Sequence, residues 1–294
     1  MKVVVATEVA VRDPNQGLGV RTGSIDTQRL LEDDAPDGLN FWFVRNSFAN
    51  SSAEAFKTPR HHHTFAQIKM VEKGSSNFLP GKDMEEGDIA YFPKAAFYGP
   101  QEKDNCTSFG MQFGFNGEHQ RGPRWESRRA EAMANLLQRG KIENGIFFGK
   151  DADSDEDIVR DSVEALYDER MRLVTNRRLV VGPEAYDSVI LMHPAAFSYF
   201  SVSPGVDLKH LGRFYDQPGP NGDVRISVVR LSEGGRYALG DDRAQLGWTM
   251  KEGLTVDGRT YPALTSFYSP RGETVEIVGV DDVEVFLVTF PRLD

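Results

Sequence analysis

The segment PRHHHTFAQIKMVEKG, residues 59–74, concentrates the side chains best suited to chemistry in this 294-residue chain. Read as a strand, it alternates its side chains between two faces. His61, His63, Phe65, Gln67 and Lys69 then share one face, and His62, Thr64, Ala66, Ile68 and Met70 share the other. Two imidazoles two residues apart can reach one cation, and the Gln67 amide oxygen can join them from further along the same face. Imidazole and oxygen donors suit iron, nickel, zinc, manganese or copper. A neutral Gln67 leaves a divalent ion a stronger Lewis acid than a carboxylate would, and holds it less tightly. Lys69 is placed to receive an anionic substrate group or to reach water from the barrel end. Phe65 and Gln112 are candidate pocket residues. His62 reads as structural, and His119, His193 and His210 read as loop or surface histidines.

These residues resemble the cupin superfamily. Its first motif is H-x-H, three or four residues, E, six residues, G. Here it runs His61-x-His63, three residues, Gln67, six residues, Gly74. Its second motif is G, five residues, P-x-G, two residues, H. Here it runs Gly87, five residues, Pro93-x-Ala95, two residues, Tyr98, so that Ala replaces the glycine and Tyr replaces the third histidine. The chain is similar to a bacterial bicupin group that joins an HxHxFxQI strand (His61–Ile68) to YFPxxxxYGPQ (Tyr91–Gln101). The segment YDSVILMHPAAF at 186–197 fits the same group. The resemblance implies two jelly-roll β-barrels in one chain, with a metal site on His61, His63 and Gln67. Tyr98, at the third-histidine place, is the expected catalytic residue, orienting or protonating the bound ligand, with binding as a phenolate or merely filling the space as the alternatives. Cupins catalyse many reactions, so the resemblance speaks to fold more than to activity. The leading expectation is a metal-dependent enzyme acting on a small organic molecule by an oxygenase-type reaction. A non-redox isomerase or lyase, and a non-catalytic ligand-binding or sensor module, are the alternatives. Cupins commonly pair through sheet edges, so a homodimer is expected.

The rest of the chain must supply the elements that position those residues. Short runs bounded by Gly, Pro, Asp or Asn read as strands at Leu39–Phe48, Arg60–Val71, Gly87–Pro93 and Thr107–Phe115. A second set lies at Val224–Leu231, Gln245–Met250, Thr265–Ser269 and Val283–Phe290. The opening MKVVVATEVAVRDPNQ also reads as a strand. The middle has helical spacing at Trp125–Arg139, and a second helix is expected over Asp157–Leu173, entered by a capping box at Ser154–Asp157. This gives a first barrel at 20–118, a helical linker at 119–180 and a second barrel at 181–294. In the second half Pro270-x-Gly272 matches the P-x-G, but Val275 takes the third-histidine place. No histidine lies near Gly240 and Asp242, or Leu239 and Asp241, so that barrel is expected to hold no metal.

Composition narrows the function classes. Asp and Glu outnumber Lys and Arg, 44 to 34, giving a net charge of -10, which disfavours sequence-independent nucleic-acid binding. Neither a signal peptide nor a run of some 20 apolar residues is present, so no membrane association is expected. The single cysteine, Cys106, precludes an intramolecular disulfide and reads as structural. Together these features point to the cytoplasm.

Overall fold

A computed structural model describes residues 1–13, 20–34, 38–48, 55–120 and 122–292. Contacts divide the chain into two units. One comprises Met1–Ala10, Arg29–Leu31 and Met192–Asp294; the other comprises Val11–Gln28 and Glu32–Leu191. The segment 119–180 falls within the second of these, with the first set of strands.

The unit built around the histidine segment has a seven-stranded sheet. Its middle is an antiparallel run of Ile89–Phe92, Ala66–Lys73, Cys106–Phe115 and Leu39–Phe48. Smaller pieces accompany it: Phe56–Thr58 paired with Gln101–Lys103, and the hairpin Ser76–Leu79 with Lys82–Met84. Between them lies a core containing Ile25, Phe48, Phe56, Val71, Phe78, Phe92 and Cys106. Neither unit closes its ladder among the described residues. Each is an open jelly roll of a large sheet and smaller ones, with the apolar face of each sheet buried as in two-sheet β proteins.

The middle of the chain is less helical than its periodicity predicts. The helices are Pro123–Glu126, Arg129–Arg139 and Ser162–Thr175. Between the last two runs a three-stranded sheet of Gly140–Glu143, Ile146–Lys150 and Asp157–Asp161. The predicted capping box at Ser154–Asp157 is therefore misplaced. Asp151 receives the Asp153 and Ser154 amides in a turn, and the true cap is Asp161, whose carboxylate accepts from the Val163 and Glu164 amides. An apolar strip including Leu136, Ala165 and Leu166 packs these helices on Phe147 of the small sheet.

The other unit has a seven-stranded sheet in the order Lys2–Val5, Thr265–Ser269, Gln245–Thr249, Val283–Thr289, Asp223–Leu231, Val206–Tyr215, Phe200–Ser203. The chain's opening residues thus form an edge strand beside Thr265–Ser269. Val11–Arg12 is a separate strand, and residues 14–16 of the opening run lie outside the described residues. A four-stranded sheet of Arg236–Leu239, Val275–Gly279, Leu254–Val256 and Arg259–Tyr261 completes the unit. Among the described residues no helix is long and apolar enough to cross a membrane.

Candidate metal and substrate site

The regular strand starts at Ala66, so the strand predicted from Arg60 is shorter, and alternation does not align His61 and His63. Instead they sit in an extended lead-in held by the segment that carries Tyr98. His61 exchanges backbone hydrogen bonds with Tyr98, 3.0 Å in each direction, and the His63 carbonyl accepts the Ala95 amide at 2.8 Å. Ala95 has a φ of 68°, the left-handed conformation that glycine adopts without cost. The substitution of Ala for the motif's glycine keeps the turn that grips His63, at a cost of about 1–2 kcal/mol. Gly99, by contrast, is required. A Cβ there would lie 2.8 Å from the Pro59 carbonyl oxygen, where the two segments meet.

The two imidazoles meet edge to face with their centres 5.0 Å apart, and the Tyr98 ring lies 4.3 Å from His61. His61 Nδ1 is 2.7 Å from the Pro59 carbonyl oxygen, which can only accept, so Nδ1 carries the proton and Nε2 keeps its lone pair. Burial, the largest cause, pulls the His61 pKa down to about 3, against a raising effect of Asp161. It also holds His63 well below the usual imidazole range, assisted by the neighbouring His61. Both rings are therefore neutral, the form that binds metal.

Gln67 lies on the regular strand opposite Phe92 and Gln112. Its Nε2 donates to the Tyr98 hydroxyl at 2.6 Å, and its Oε1 accepts from Gln112 Nε2 at 3.3 Å. Burial raises the Tyr98 pKa, so the phenol keeps its proton. Since the hydroxyl oxygen accepts from Gln67, that proton remains available to donate.

His61, His63, Gln67, Tyr98, Lys69 and Gln112 all line one cavity of about 180 Å³. Phe65 does not. It stacks behind His63, ring centres 4.5 Å apart, because its position precedes the regular pleat. His119, expected in a loop or at the surface, lies in a loop but is not exposed. It is fully buried against Phe65, with Nδ1 2.8 Å from Asn40 Oδ1 and Nε2 3.4 Å from Gln112 Oε1. A neutral ring has one N–H, so His119 donates to one of these two oxygens and packs behind the Gln112–Gln67–Tyr98 chain. His62 turns away, 3.6 Å from Glu164. His193 and His210 are exposed.

The sequence reading missed one wall entirely. Val163, Leu166, Tyr167 and Arg170 line the cavity from the Ser162–Thr175 helix, at i, i+3, i+4 and i+7. An arginine within that apolar stripe was the available signal. Arg21 joins this wall, ion-paired to the capping Asp161 at 2.8 Å. Lys103 and Asn46 line the cavity from the strands.

The donors present fit a divalent transition ion. His61 offers Nε2 with its other nitrogen tied to a carbonyl, the usual support for a ligating imidazole. His63 adds a neutral imidazole and Gln67 an amide oxygen. Among the described residues no three His, Cys, Asp or Glu side chains converge, so beside His61 and His63 the Gln67 amide would offer a neutral oxygen donor.

No protein-family model matches the chain, and no curated protein matches its sequence. Solved structures do match. A Bacillus subtilis oxalate decarboxylase variant is 10% identical with a TM-score of 0.53, over 100% of this chain and 78% of that one. The Lactobacillus farciminis oxalate decarboxylase, solved as a formate complex, is 11% identical with a TM-score of 0.53, over 99% and 87%. The Streptomyces albus protein HEPD, solved with its substrate 2-hydroxyethylphosphonate and Fe(II) bound, is 12% identical with a TM-score of 0.52, over 99% and 76%.

Proposed function

From the premise that the chain has the bicupin fold of the cupin superfamily, we propose that its histidine-bearing jelly roll is a metal-dependent active site for a small organic molecule. The reaction is of the oxygenase type. His61, His63 and Gln67 hold a divalent transition ion. The carrying observation is the pair of neutral imidazoles meeting at 5.0 Å, with the His61 proton fixed on Nδ1 and Gln67 on the same cavity. The Fe(II) bound in HEPD and the Mn(II) centres of the Bacillus subtilis oxalate decarboxylase support the class of metal. Such an ion supplies Lewis acidity and, for iron, manganese or copper, a redox couple.

The chain's own residues do the remaining work. Tyr98 is a neutral phenol whose oxygen is fixed by Gln67, so its O–H donates to a ligand in the cavity. Gln112 holds Gln67, and His119 packs behind Gln112. The helix residues Leu166 and Tyr167 wall the cavity and limit water in it.

Elemental analysis of untagged protein tests this reading, with about one transition-metal ion per chain expected. His61→Ala and His63→Ala empty the site, whereas His193→Ala and His210→Ala leave it filled. Tyr98→Phe keeps the ion, and no phenolate charge-transfer band accompanies iron in the parent protein. Full occupancy after loss of both His61 and His63 rejects the site. One observation favours a second reading, a metal-independent anion-binding module: the cavity wall includes Arg21, Lys69, Lys103, Arg129 and Arg170 but no carboxylate. Metal-free protein from every preparation and growth medium supports that alternative.

A further inference from the structure

Two lysines line the cavity, and among the described residues no carboxylate lines it with them. Lys69 lies directly across the ladder from Gly110, and its Nζ sits 4.2 Å from the Phe92 ring centre and 5.0 Å from that of Tyr98. Lys103 is 6% exposed, with Nζ 4.6 Å from the Phe48 ring centre. Phe48, Phe92 and Tyr98 belong to one apolar cluster, and both lysines line the cavity beside it. Two of the cavity's three arginines differ. Arg21 faces Asp161 at 2.8 Å, and Arg170 faces Glu126 at 3.5 Å. The lysines instead lie against aromatic faces. Burial depresses Lys103 to about 8. Cation–π contact offsets part of the lost hydration, but a buried Lys103 ammonium beside a second lysine is costly without a counter-ion.

We infer that the substrate is a small organic anion, its carboxylate or phosphonate group held by Lys69 and Lys103 and its reacting end directed toward His61, His63 and Tyr98. The inference rests on reading this cavity as the substrate site. Three observations set the substrate's size. Lys69 stands two residues beyond Gln67 on a regular strand, about 7 Å along it, so only a few bonds separate the anionic group from the reacting atom. The volume of about 180 Å³ compares with a cavity of ~150 Å³ that accepts benzene, so the ligand has roughly six to ten non-hydrogen atoms. Gly110 leaves the space beside Lys69 open. A Cβ there would meet nothing closer than Asn46 Nδ2 and Val44 Cγ2, each at 3.7 Å.

The test uses chelator-treated full-length protein, so that binding to the lysines is read apart from binding to a metal. Malonate, adipate, the neutral malonamide and chloride are titrated by calorimetry and by thermal shift. Malonate is expected to bind and to raise the melting temperature. Malonamide and chloride do not, and adipate binds more weakly. Lys69→Met and Lys103→Met each weaken malonate at least tenfold, and Gly110→Leu excludes it. Gly110→Ala, a smaller intrusion, serves if the leucine variant does not fold. Equal binding of malonate and malonamide, equal stabilisation by chloride, tighter adipate, or unchanged affinity in the Lys69→Met/Lys103→Met double variant overturns the inference. Malonate binding that requires added Fe(II) or Mn(II) and ignores both lysines also overturns it, while leaving the metal site intact. Lysine-dependent binding in a protein that never takes up metal sustains the anion site and rejects the metal reading.

Discussion

The two jelly rolls fill their interiors in opposite ways. Between the sheets of the C-terminal unit lie Val206, Val229, Leu231, Leu254, Phe267, Ile277 and Val285, each no more than 1% exposed. The Val275 side chain, at the position where the cupin motif has its third histidine, belongs to that core. In the histidine-bearing unit the corresponding space holds imidazoles, amides and two lysines around a cavity. A glycine in each unit shows the difference. A Cβ on Gly247 would strike the Phe267 ring at 2.3 Å, whereas one on Gly110 would enter open space. Close packing supplies stability through dispersion and apolar burial, which tolerate no gap. A site must forgo some of that packing, and its buried polar groups then need partners or a ligand.

The largest effects should come from breaking what each unit relies on. Asp161→Ala removes both the helix cap and the partner of buried Arg21, and is expected to cost about 3–5 kcal/mol in chemical denaturation. A similar loss, about 3–5 kcal/mol, is expected for Phe267→Ala in the apolar unit. If Asp161→Ala costs under about 1 kcal/mol, the charge pair is not a stability element. Lys103→Met should act in the opposite direction. The folded pKa is about 8 against 10.5 unfolded, so between those values the unfolded chain binds more protons and wild-type stability rises with pH. Below pH 8 the full penalty applies. Methionine removes it, with a gain on the order of 3 kcal/mol at pH 7 that shrinks toward zero above pH 10.5. A gain independent of pH would trace to packing instead of charge. The glycine pair gives the smallest effects. Gly247→Ala should cost about 1–3 kcal/mol by overpacking, and Gly110→Ala should stay within about 1 kcal/mol of the parent. Equal costs at the two positions would remove the contrast between a filled and an open interior.

Most of the strand framework was legible because alternation and turn residues are local signals. Leu39–Phe48 and Thr265–Ser269 fall where the pattern places them. The Asp157–Leu173 region was harder. Its acidic run resembles a helix entry, but Asp157–Asp161 pairs with Ile146–Lys150, and that tertiary ladder overrides local capping preference. His119 looked isolated because its partners Asn40 and Gln112 approach only in the fold.

By itself the sequence determined the spacing of His61, His63, Gln67, Gly74, Gly87, Pro93 and Tyr98, and the two strand-rich halves that fold as jelly rolls. It also determined that Gln67 and Lys69 share a face, since a two-residue period requires only a regular strand. Tertiary structure alone decided that the histidines are aligned by bonds to Ala95 and Tyr98, that Phe65 leaves the cavity, and that Lys103 enters it. The same holds for the wall formed by Arg21 and Arg170. Arg21 bonds to Ser162, 141 residues away. Sequence periodicity states which way a side chain faces along its own element. What it faces depends on chain closures of that length, and so does whether a buried charge finds a carboxylate, as Arg21 does.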